Sequence, residues 1–291
     1  MIMKFAYEDF ILEKELQNLS ERTITGYRIL FKEFNRFLIG NEIVDASDIT
    51  QTTIKKYLNY CKKERKNNPV TINTKLKNLK AFFNHLLDNE YIKKNPCDKV
   101  QRLETDTKIE VFTDSQIRQM LNYFRRLKQQ DKQFAAFRNH TIIITLLGTG
   151  IRLGELCNLK WTDIDMQNYQ MSVYGKNRQQ ETVPITSKVI QEFLEFKLYL
   201  EHHFDTLGEY VFVNRYNKRL TENAVQNVFK RLSEQMNFPD VRLSAHTFRH
   251  TFAQRALMNG MDVFTLQKIL RHKKLTMTER YLALWGLQLQ E

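Results

Sequence analysis

The stretch SAHTFRHTFAQRALMNG, positions 244–260, sets His246 three residues before Arg249. On a helix that spacing puts both side chains on one face, a turn apart. A guanidinium fork matches two phosphate oxygens, and an imidazole exchanges a proton near neutrality. The pair alone is common and identifies nothing. His250 follows Arg249 and lies about 100° round the helix from it. It is expected to be a buried structural histidine, with Phe248 and Phe252 facing the core. LRHKKLTMTERY then supplies His272 and, nine residues on, Tyr281, in a short helix that Thr276 could cap. TGIRLGEL places Arg152 just after Gly148 and Gly150 at an expected helix start, where backbone amides and the helix dipole favour an anion. YGKNRQQETVP places Lys176 at a hairpin turn, able to reach into a cleft.

The elements that must position these groups are mostly helical. In ERTITGYRILFKEFNRFL, apolar residues from Ile24 to Leu38 recur at three- and four-residue steps and form one face. Helices are also expected over TIKKYLNYCKKE and TINTKLKNLKAFFNHLLDNE, and Asn95-Pro96 halts the pattern. The polar run KVQRLETDTKIE, residues 99–110, has no amphipathic period and reads as a linker. Helices resume at TDSQIRQMLNYFRRL, capped by Thr113 or Asp114, and continue through HTIIITLLGTGIRLGELCNLK. YQMSVYGKNRQQETVPIT is the one β-hairpin pattern, turning near Gly175. Asn259-Gly260 closes the helix of His246 and Arg249. The expected fold is mainly α: a small all-helical N-terminal domain, 1–98, and a larger, mainly helical domain, 111–291, with a small antiparallel sheet.

The chain has 291 residues, 42% of them hydrophobic, enough for two cored domains. Its 45 basic against 33 acidic residues give a net charge of +12, which favours a polyanionic partner. No apolar run is long enough to span a membrane, and Glu8 and Asp9 interrupt any signal-peptide core. Cys61, Cys97 and Cys157 are odd in number and far apart, which signals neither a disulfide framework nor zinc, so the cytoplasm is the expected compartment. Lys55, Lys56, Lys62, Lys63, Arg65, Lys66, Lys75, Lys77 and Lys80 are interrupted by one acid, Glu64. Such a block usually solvates a helix face. Its functional reading is a phosphate-tracking surface formed by the eight lysines, helped by Thr71, Asn73, Thr74 and Asn78.

Taken together, the Arg152 box, the hairpin lysine eight residues before Pro184, HTFRHTFA, and LRH followed by a tyrosine resemble the tyrosine recombinases of the lambda-integrase family. Size and layout are closest to Xer-type recombinases and short mobile-element integrases, and the likeness covers essentially the whole chain. It implies a SAM-like, core-binding N-terminal domain and a catalytic C-terminal domain that close on duplex DNA. It assigns the catalytic set Arg152, Lys176, His246, Arg249, His272 and Tyr281, with Tyr281 as nucleophile, and gives Glu155 a structural role at the first arginine box. Two positions depart from the pattern: Leu270-Arg271-His272 stands where Leu-Gly-His is usual, and Glu181 where a basic residue is common. Either the turn is made without glycine, or Arg271 points at DNA.

The chemistry implied is attack by Tyr281 on a DNA phosphate. Arg152 and Arg249 clamp the non-bridging oxygens, aided by His246 and His272. His246 is the expected general base near the phenol, and Lys176 the acid for the leaving 5′-oxygen. The product is a 3′-phosphotyrosyl link, which conserves bond energy and needs no cofactor. No carboxylate cluster of metal-ligand type is evident, and Asp163 and Asp165 read as loop and cap residues. The partners implied are double-stranded DNA with inverted core sites and a synaptic tetramer joined through a Holliday junction. That tetramer is of this chain alone or shared with a related recombinase, with room for an accessory protein or motor. Resolution of chromosomes or plasmids and mobile-element integration or excision all fit. The alternatives are a type IB topoisomerase-like enzyme that relaxes any supercoiled DNA, and a DNA-binding regulator without chemistry.

Overall fold

The computed structural model describes residues 2–105, 109–130, 133–175 and 180–288, with side chains to Leu282. It divides into two units, Met1–Thr107 and Lys108–Glu291.

Among the described residues, four α-helices build the first unit: α1 Met3–Leu16, α2 Glu21–Ile39, α3 Gln51–Lys63 and α4 Pro69–Asp88. Each of the last three starts where a side chain satisfies a free backbone N–H. Ser20 accepts from Thr23, Thr50 and Thr53 form a reciprocal capping box, and Asn68 accepts from Thr71 with Pro69 behind it. Helix α1 is absent from the sequence expectations. Yet Met3, Ala6, Tyr7, Phe10 and Ile11 recur at helical steps and are buried. Their burial creates an aromatic core in which Tyr7 stacks on Phe31 at 4.2 Å and Phe10 meets Phe82 edge-on at 5.5 Å. The supposed linker does not swing free over its first residues. Asn73 donates to the Leu103 carbonyl and accepts from its N–H, and Val100 and Leu103 pack on the first core.

The second unit contains α5 Asp114–Gln130, α6 Phe134–Thr149, α7 Leu153–Asn158, the strands β1 Ile164–Asp165, β2 Gln170–Tyr174 and β3 Gln180–Pro184, then α8 Ser187–His203, α9 Glu222–Met236, α10 Ala245–Met258, α11 Val263–Leu270 and α12 Thr276–Gln288. Thr113, through its hydroxyl, caps α5. The sheet is antiparallel in the order β1-β2-β3, with Met171 opposite Val183 and Val173 opposite Glu181. Asp163 and Asp165 accept backbone N–H groups from Lys160 and from Gln167 and Asn168. Helix α10 lies against α6, and Phe248 is fully buried between Phe112 and Phe229. That anchorage fixes the rotation of α10 and so aims its polar face.

One lysine of the basic block serves this fold. Lys75 is 14% exposed and donates to Glu33 Oε1 at 2.5 Å, on which Tyr57 and Cys61 also converge. Burial raises the Glu33 carboxyl, but the hydrogen bond and charge of Lys75, with Cys61 and Tyr57, outweigh it and hold it below its usual value. A carboxylate with a depressed pKa contributes stability that is present above its unfolded value and lost as pH falls through the folded one. Lys75→Ala should therefore cost about 1 to 2 kcal/mol at pH 7, between the scale of exposed ion pairs and that of fully buried ones. In urea unfolding, the gap between variant and native midpoints should close on acidification. A gap that is absent at pH 7 would show that the pair contributes nothing.

Candidate active site

Arg249 leaves α10 toward the end of α11. It is 5% exposed, and its Nη1 donates to the Gly150 carbonyl at 2.7 Å while Nη2 donates to the Leu270 carbonyl. Gly150 reaches this position in a left-handed conformation, φ 60°, as the C-cap of α6, and a Cβ there would run into the Phe252 ring. Arg152 comes to the same place from the start of α7. Its Nη2 donates to the Arg271 carbonyl at 2.9 Å and to Leu270 O at 3.3 Å, and its Nη1 to Glu155 Oε1 at 2.7 Å. Thus both guanidinium groups meet at Leu270 O. At the α7 start the Arg152 backbone N–H is taken by Glu155 Oε2 at 2.8 Å and so is not open to an anion. Burial, then the charges of Arg152 and Arg271, lower Arg249 to about 10, which still leaves it cationic at neutral pH.

Tyr281 sits on α12, 3% exposed, against Ala253, Leu257, Leu266 and Leu270. Its hydroxyl is 2.7 Å from Nδ1 of His250. This corrects two expectations: the ring at the phenol is His250 rather than His246, and His250 is not a bystander of the core. His250 lies four residues after His246, so the two share a helix face, and their rings are 6.4 Å apart. His272 lies parallel to Tyr281, centroids 6.4 Å apart, with Nδ1 2.8 Å from the Thr278 hydroxyl. Burial and the charges of His246, Arg280 and Arg249 pull His250 down to about 4, and burial, Arg249 and Arg152 do the same to His272. His246 opens to solvent, and desolvation against the site wall, Arg249 and Arg152 hold it below the ordinary imidazole value. All three rings are thereby biased toward the neutral form. Burial raises the phenol of Tyr281, against the opposing pull of Arg249 and Arg280. A neutral Nδ1 beside a protonated phenol can accept its proton.

Arg271 does not point outward. It takes the left-handed turn itself, φ 54°, and its buried side chain meets Glu155 Oε2 at 2.5 Å. Lys176 lies outside the described residues, between β2 and β3 in the chain. Of the eight lysines, Lys55, Lys56, Lys62, Lys63, Lys66, Lys77 and Lys80 are exposed on or beside α3 and α4, with Lys80 3.2 Å from Asp98. Lys75 is withdrawn from that surface by Glu33 and is removed from the phosphate-tracking set.

Comparison with known proteins agrees with this layout. The family model described as "Phage integrase family" matches residues 110–285, and "Phage integrase, N-terminal SAM-like domain" matches residues 7–93. The chain is similar to tyrosine recombinase XerC of Listeria innocua, 26% identical over 91% of this chain and 88% of the relative. It is likewise similar to XerC of Bacillus licheniformis, 29% identical over 91% and 86%. Among solved structures, the Tn1549 transposon integrase in complex with a circular intermediate DNA superposes with a TM-score of 0.80 at 24% identity, over 97% of this chain and 94% of that one. XerH site-specific recombinase bound to palindromic difH substrate gives 0.79 at 17% identity, over 95% and 80%.

The depressed histidines make the fold sensitive to acid. Between pH 4 and the unfolded value near 6.5, the unfolded chain binds protons that the folded rings refuse, so stability rises with pH there. Replacing both His250 and His272 with Asn should flatten that slope by about two protons, one per ring. Urea midpoints collected from pH 4 to pH 7 measure it, and an unchanged slope would mean that the rings are already charged in the folded state.

Proposed function

The chain belongs to the phage integrase family, and on that premise we propose that it is a tyrosine-type site-specific recombinase, cutting and rejoining duplex DNA through a covalent link to Tyr281. The observation that carries this reading is the convergence of Arg152 and Arg249 on the carbonyl oxygen of Leu270, a residue of the same apolar cluster as the buried Tyr281. A guanidinium has five N–H donors, so its carbonyl contacts leave others for phosphate oxygens. The likeness to XerC proteins and to integrases solved on DNA supports the same conclusion.

The steps follow from the groups present. Tyr281 Oη attacks phosphorus, the P–O5′ bond breaks, and a 3′-phosphotyrosyl ester forms. His250 receives the phenolic proton at Nδ1. Arg152 and Arg249 stabilise the charge that grows on the non-bridging oxygens, where preorganised donors act most strongly. His246 and His272, biased toward the neutral form by burial and then by Arg249 and Arg152, add hydrogen bonds. Lys176, assigned by resemblance, protonates the departing 5′-oxygen. Rejoining reverses these steps with a 5′-hydroxyl of the partner strand, so the ester itself conserves the energy. Exchange through a Holliday junction by four synapsed protomers, all of this chain or shared with a related recombinase, on inverted core sites in the cytoplasm, completes the reading. The exposed lysines of α3 and α4 supply sequence-independent phosphate contacts.

DNA recovered covalently bound to the protein in its host supplies the site. On a nicked duplex carrying it, the native protein should yield an adduct and exchanged strands, whereas a topoisomerase would relax any supercoiled plasmid and a regulator would yield no adduct. Tyr281→Phe should bind but give no adduct. Arg249→Lys keeps the charge and loses the fork, and at saturating protein should cleave roughly 100- to 1,000-fold more slowly. An adduct that persists with the phenylalanine variant would sink the assignment of the nucleophile.

A further inference from the structure

Arg271 and Glu181, the two positions that depart from the family's pattern, are in contact. The guanidinium of Arg271, 4% exposed, places Nη2 2.5 Å from Glu155 Oε2 and Nη1 2.7 Å from the Ile269 carbonyl. Its Nε is 3.3 Å from Glu181 Oε2, off the line of the N–H, so this contact acts through charge rather than as a hydrogen bond. Glu155 meanwhile holds Arg152 by both its backbone N–H and its Nη1. One carboxylate therefore serves two guanidinium groups, with a third, Arg249, on the same carbonyl as Arg152. A single negative charge among three positive ones leaves an excess that a buried site tolerates poorly. Glu181 brings the second negative charge. A basic side chain at 181 would instead face Arg271 at close range.

The contact also joins separate parts of the chain. Arg271 forms the left-handed turn that delivers His272, and Glu181 stands on β3 opposite Val173, five residues after Lys176 in the sequence. We propose that Arg271 and Glu181 are positioning residues for strand cleavage: their ion pair anchors β3, the strand that follows Lys176 in the chain, to the turn and the carboxylate that hold Arg152. This rests on the recombinase reading above and adds to it a residue pair that acts through the general acid. The pair does not touch the reacting atoms.

Sulfur chemistry isolates that action. In the ordinary duplex the 5′-oxygen must gain a proton as the P–O5′ bond breaks. With sulfur as the bridging atom, a thiolate leaves without one, and a misplaced acid no longer matters. Glu181→Lys should slow single-turnover cleavage of the ordinary captured duplex by about 10- to 100-fold, the scale of a small misplacement, and leave the 5′-thio duplex within about twofold of native. In an Arg271→Gly background, where glycine suits the left-handed turn, Glu181→Lys should have no further effect. Melting curves establish that each variant is folded. Native-rate cleavage by Glu181→Lys, equal slowing on both duplexes, or an undiminished effect in the Arg271→Gly background would each overturn the anchor. If the native protein forms no Tyr281 adduct on either duplex, the recombinase reading itself fails and the anchor falls with it.

Discussion

Two arginines share the carbonyl oxygen of Leu270, and much of the catalytic unit is arranged so that they can. Guanidinium groups repel one another, and a third, Arg271, lies alongside. They are held by the carbonyl groups at the end of α11, where the helix dipole is negative, and by the buried carboxylate of Glu155. Gly150 must turn left-handed to present its carbonyl to Arg249. Phe248 must be locked in the core so that α10 cannot rotate. The same positive field reaches the histidines and the phenol. Together with burial it keeps His250 and His272 uncharged, and it eases the ionisation of Tyr281 that burial opposes.

Much of this was legible in the sequence because it is local. The three-residue step from His246 to Arg249 fixes a shared helix face, and the run around Arg152 fixes a helix start after a glycine turn. The link between these pieces came from resemblance, since no spacing rule brings Arg152 to α11. The 100° step from Arg249 turns His250 away from that side chain, but its four-residue step from His246 places it on the active face. The signal was present. For Arg271 there was none, because Glu155 lies 116 residues away and β3 also comes from elsewhere in the chain. A residue that replaces glycine at a left-handed turn is compensated by tertiary contacts that periodicity cannot show.

The first unit teaches the same distinction. Lys75 and Lys77 look alike in the sequence, two residues apart in a basic run, but one faces Glu33 inside and the other faces water. Only the partner across the fold, on α2, decides which is structural. Helix α1 shows the reverse case. Its five buried residues follow the helical step plainly. Long-range ion pairs are therefore the hard part of such a sequence, and amphipathic helices the easy part.

Mass spectrometry of the trapped protein–DNA adduct tests the central claim most directly. After exhaustive nuclease and protease digestion, the account predicts one modified peptide, containing Tyr281, its phenolic oxygen esterified to the 3′-phosphate of a nucleotide. A nucleotide on another tyrosine, such as the exposed Tyr169 or Tyr174, or a link through a 5′-phosphate, would contradict it.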